Sequence, residues 1–167
     1  MTTSACQHLN PLPTRTFAAL AGQTRVLRTG DKEFAHLRSA PTSCAMQALI
    51  AQCDGSFKQQ LDRYKYPNRY PLESGGDVQA FALAQRFEAA SWLQTLESRL
   101  SQGWLFGPQP SLADMATLPF VRQFAHTDAA WFAAQPWPQL QAWLAGFEES
   151  ALFKSVMMKH KPWSETV

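Results

Sequence analysis

The sequence predicts an all-α protein, a helical bundle from about residue 46 onward, preceded by a short arm that its pattern leaves unassigned. Three observations carry that prediction. Apolar residues recur at three- and four-residue steps from Met46 to Met157, the spacing that lines one face of a 3.6-residue helix. No stretch between residues 46 and 160 alternates with period two for long enough to make a sheet. Proline and glycine gather at residues 67–76 and 103–110, cutting the periodic run into helix-length pieces.

The first piece carries Met46, Leu49, Ile50, Cys53, Phe57 and Leu61 as a single stripe. Asp54-Gly55-Ser56 interrupts it with a turn signal, which leaves either one kinked helix or two in series. Pro67 ends the element, because its ring cannot continue a helix and restricts Tyr66 before it. Residues 67–76 then read as a loop. Asp77 is a favoured N-cap residue, although Ala80 three positions on denies it a full capping box. Behind it Val78, Phe81, Ala82, Ala89, Trp92, Leu93, Leu96 and Leu100 mark one face of a long helix that Gly103 closes.

Residues 103–110, with two glycines and two prolines, read as a loop. Ser111 and Asp114 have the spacing of a capping box, in which hydroxyl and carboxylate each satisfy an otherwise orphaned backbone N–H. Met115, Phe120 and Phe124 are the expected inward residues of the helix that follows, and Pro119 is expected to bend it. Thr127 or Asp128 caps a short helix that Pro136 ends. Pro138 suits the first turn of the next helix, with Leu140, Trp143, Leu144 and Phe147 inward. Ser150 caps a last one carrying Leu152, Phe153, Val156 and Met157.

The first 45 residues are different material. They hold five bases against two acids, and all six tryptophans and all three tyrosines fall after residue 60. Phe17–Gly22 has the makings of a helical turn, Arg25–Leu27 of a short strand, and Asp31 of a cap for a helix through Leu37.

Composition narrows the function. With 167 residues, 46% hydrophobic and 17% charged, the chain can bury a sizeable core and offset the entropy of ordering. A net charge of +2, without a basic run interleaved with aromatics, gives no reason to expect nucleic acid. No apolar stretch approaches the roughly 18 residues of a membrane span. The start has no charged segment leading into an apolar one of signal-peptide length. Three cysteines, none in a Cys-x-x-Cys pair, make a reduced, cytoplasmic setting the expectation. His8, His36, His126 and His160 have no partners at metal-ligand spacing, so no metal site is expected. Cys53 lies on the apolar stripe and is expected to be a small core residue, while Cys6 and Cys44 fall in the unassigned arm.

A family resemblance rests on residues in order. They are Leu105-Phe106-Gly107, the box Ser111-Leu112-Ala113-Asp114-Met115-Ala116, Pro119 and Phe120, then Trp137-Pro138-x-Leu140-x-x-Trp143-Leu144, and Ser150 with Phe153 and Val156. That string resembles the C-terminal helical domain of the glutathione S-transferases. Upstream, Asp54-Gly55, Phe57-Lys58 and Leu61–Pro67 are similar to the opening helix of that domain in a bacterial branch. The resemblance spans residues 46–163 and leaves 1–45 as an arm, remnant or partly disordered. It implies a transferase fold in which a separate thioredoxin-like domain holds glutathione by a Tyr, Ser or Cys, a cis-proline loop and a Glu-Ser or Gln-Ser pair. One βαβ unit alone needs about 30 residues, and residues 1–45 contain neither a Val-Pro leading into a strand nor a Glu-Ser or Gln-Ser pair, Ala40-Pro41-Thr42-Ser43 being the nearest candidate for the proline loop but in the wrong context. The pair Glu73-Ser74 lies in the helical half, where the family does not use it. The expectation is therefore a truncated relative, inactive toward glutathione alone, in which glutathione is a co-substrate only when a complete N-terminal domain is supplied.

By the same resemblance, Arg63, Tyr64, Tyr66 and Arg69 are the candidates for a pocket that receives the acceptor substrate, set against the alternative of an amphipathic surface with snorkelling arginines. Ser111 and Asp114 are expected to be structural, and no catalytic residue is assigned. The competing function classes are an interaction module, pairing with itself, a partner protein or a small hydrophobic ligand through an exposed apolar face, and a working transferase with an unrecognised site in the arm.

Overall fold

The computed structural model describes residues 43–158, and everything said of structure below concerns those residues. The readings made at Phe17–Gly22, Arg25–Leu27, Asp31–Leu37, Cys6, His8, His36, His160 and Trp163 lie outside them. Among the described residues there is no strand, only an isolated bridge between Trp104 and Gly107. No described helix is long and apolar enough to cross a membrane.

Helix α1 (Cys44–Gln52) is capped by the Ser43 hydroxyl, which accepts from the Met46 amide at 3.2 Å. It passes into α2 (Lys58–Lys65) through a single π-helical turn, Cys53–Phe57. The turn signal at Asp54-Gly55-Ser56 thus neither breaks the helix nor splits it. Two four-residue steps, Cys53 to Phe57 to Leu61, would drift about 80° round a regular helix. A π-bulge absorbs one residue and returns Leu61 to the face that Cys53 holds. All three side chains are at most 1% exposed.

The stretch expected as a loop after Pro67 holds two short helical turns, a 3₁₀ turn at Pro67–Arg69 and α3 (Pro71–Ser74). Each starts on a proline, whose missing N–H costs nothing at the first helical position. Gly75 and Gly76, at φ +58° and +94°, carry the chain out in left-handed geometry. The long helix α4 (Val78–Arg99) then begins at Asp77, whose carboxylate accepts from the Ala80 amide at 2.9 Å. Three cross-helix contacts give its direction. Phe57 stacks on Trp92, Tyr64 lies under Arg86, and Tyr70 meets Phe81. Numbers rise along one partner as they fall along the other, so α1–α2 and α4 run antiparallel.

Helix α5 (Leu112–Ala125) runs through Pro119 and fills the middle of the bundle. Its buried set is wider than the sequence stripe suggests. Ala113, Asp114, Thr117, Leu118, Val121, Phe124 and Ala125 are buried, whereas Met115 and Phe120 are only half-buried. A stripe analysis assumes one inward face, but α5 meets α1 and α2 on one side and α7 on another. Thr117 is fully buried and satisfies its hydroxyl by donating to the Ala113 carbonyl at 2.8 Å. Asp128 rather than Thr127 caps the short α6 (Ala129–Ala133), accepting from the Trp131 amide at 3.0 Å.

Helix α7 (Pro138–Glu149) has no capping side chain of its own. The Glu97 carboxylate of α4 covers its first turn, accepting from the amides of Gln139 at 3.1 Å and Leu140 at 2.7 Å. An anion at a helix N-terminus meets both unpaired N–H groups and the positive end of the macrodipole. Glu97→Ala should lower stability by about 1–2 kcal/mol in urea unfolding; an unchanged midpoint would contradict this role. Ser150 caps the final α8 (Ala151–Val156), and Phe153 returns to the core rim on Phe147 at a centroid distance of 5.1 Å.

Candidate functional site

The pocket candidates at the end of the opening helix do not converge. Tyr64 turns inward and is buried, its ring 5.3 Å from Phe124. Burial pushes its phenol pKa up, while a hydrogen bond from Arg86 works in the opposite direction. Arg63 turns the other way. It holds the Glu73 carboxylate at 2.7 Å and lies over the Tyr70 ring at 4.9 Å, and the Glu73 hydrogen bond raises its pKa further. Glu73 and Ser74 therefore have local structural partners, the Ser74 hydroxyl donating to the Pro71 carbonyl at 3.1 Å. Tyr66 and Arg69 remain at the surface, the guanidinium 4.1 Å from the ring centroid.

A concavity among the described residues lies elsewhere, beside α4. Leu83, Arg86, Phe87 and Gln94 line one wall and Trp131 and Trp137 the other, enclosing an open groove of about 570 Å³. None of Arg63, Tyr64, Tyr66 or Arg69 lines it. Its two tryptophans meet edge to face at 5.8 Å, and the Trp137 indole N–H donates to Gln94 Oε1 at 2.6 Å. Arg86 lies over Trp131, 4.4 Å from the ring centroid, and pairs with Asp128 at 3.3 Å. Sequence periodicity missed this site because its α4 wall is the side of the helix that faces away from the core. The available signal was a second apolar run, Leu83, Phe87 and Ala90, at helical spacing on that outer side.

The capping pair is the most heavily connected polar feature in the core. Asp114 is fully buried. Its Oδ2 accepts from the Ser111 amide at 2.8 Å and from the Ser111 hydroxyl at 2.6 Å. Its Oδ1 accepts from the Leu105 amide at 3.0 Å and from the Trp143 indole N–H at 3.0 Å. The box closes the start of α5, and the same carboxylate also ties down the loop before it and α7 beside it. A nucleophile-and-base role has no solvent access here, and the geometry is that of a helix cap extended into a tertiary clamp.

Cys53 is a free, buried thiol in the π turn. Burial first, and the Asp54 carboxylate second, push its pKa from 9.0 up to about 12, with Lys58 opposing. An unfolded thiol ionises near its ordinary value while the folded one keeps its proton. The native state therefore binds more protons through this window, and stability falls as pH rises from 9.0 toward about 12. Cys53→Ala should flatten that alkaline loss, and alkylation of Cys53 at pH 8 should require urea. Rapid alkylation of the native protein, or an identical alkaline limb in the variant, would contradict the assignment. No cluster of three or more His, Cys, Asp or Glu side chains able to hold a metal ion occurs among the described residues.

Residues 82–146 match the family model described as glutathione S-transferase, C-terminal domain. Over that span, which runs from within α4 to within α7 and includes the Asp114 clamp and the groove, the helices are similar to a glutathione S-transferase C-terminal domain. No curated protein and no solved structure matches the chain.

Proposed function

We propose that this chain supplies the helical half of a glutathione S-transferase-like protein, contributing acceptor-facing surface and a protein interface, and that it conjugates no glutathione by itself. The observation that carries the reading is the commitment of the described groups best suited to thiolate chemistry. The Tyr64 phenol is buried beneath Arg86, the Cys53 thiol is buried with a raised pKa, and Ser111 belongs to the clamp. A domain so arranged shapes and supports a reaction without activating the sulfur. Tyr66 and Arg69, exposed at the end of the opening helix, are the surface offered to an acceptor in this reading. A cytoplasmic location belongs to it as well, by family resemblance. Calorimetric titration of the 167-residue chain with glutathione, paired with a conjugation assay on an electrophile, should give no saturable heat and no turnover above background. Saturable binding with turnover would overturn it.

A second reading, a non-catalytic interaction module, is favoured by the outer side of α4. There Phe87 is 72% exposed and Leu83 40%, large apolar side chains set beside an apolar groove. Light scattering should then report a mass above that of the monomer, and Phe87→Ser should lower it. A clean monomer that binds no hydrophobic dye would remove this reading.

A further inference from the structure

We draw no further inference here: the strongest candidate, the exposed outer side of α4 around Leu83 and Phe87 with the open groove beside it, is an apolar face with nothing in the structure to show what covers it.

Discussion

Asp114→Ala should be the most damaging single substitution in the domain, lowering stability by about 4 kcal/mol and so threatening folding altogether. The carboxylate is fully buried and accepts four hydrogen bonds, from the Leu105 and Ser111 amides, the Ser111 hydroxyl and the Trp143 indole. Hydrogen bonds to a charged group contribute about 1.5–3 kcal/mol each, and removing a shared acceptor leaves every donor desolvated without a partner. The losses do not add, because the four donors belong to one network and relax together. Ser111→Ala is the internal comparison. It removes a single donor while leaving the carboxylate with three, and should cost on the order of 1 kcal/mol. Urea unfolding of both variants decides the matter. If Asp114→Ala costs no more than Ser111→Ala, the clamp is an ordinary helix cap and the tertiary part of the assignment is wrong.

The second large effect is expected at Phe57. Its side chain is fully buried, stacked 4.4 Å from Trp92 of α4 and 5.8 Å from Phe124 of α5. Three helices therefore meet on one ring. Phe57→Ala should cost about 3–5 kcal/mol, the transfer free energy of the ring plus the cavity that three packed helices cannot close. Phe87→Ala gives the contrast, since the same chemical change at an exposed site should shift stability by less than about 0.5 kcal/mol. Comparable destabilisation at the two positions, measured by the same urea or thermal unfolding, would mean that the core is not centred where these contacts put it.

What the sequence made legible, and what it hid, follows from the range of each interaction. Helix starts at Asp77, Ser111 and Ser150 could be read directly, because a cap bonds an amide two or three residues away. The stripe through Leu49, Cys53, Phe57 and Leu61 was equally clear, since a single face meets the core. The π turn inside it was not. Asp54-Gly55-Ser56 has the composition of a break, yet the backbone stays helical through it, with Phe57 packed on Trp92 of α4 and Phe124 of α5. Glu97 on the start of α7 and Trp143 on Asp114 span 43 and 29 residues, and no local pattern announces such pairings. The aromatic-arginine cluster at residues 63–69 shows the same limit from the other side. Four residues close in sequence suggested one pocket, yet Tyr64 and Arg63 turn to different neighbours because successive helical positions point about 100° apart.

The π turn also bears on how this chain can change length over evolutionary time. A π-bulge is one residue more than a regular helix needs to keep its two flanking segments in phase. Losing a single residue from Asp54–Ser56 would let the backbone relax to ordinary α geometry with Leu49 and Leu61 still on a common side. The same deletion a turn later, inside Lys58–Lys65, would swing Tyr64 round by about 100° and off the core. The opening helix thus carries one built-in site where descent with deletion is cheap, flanked by positions where it is not.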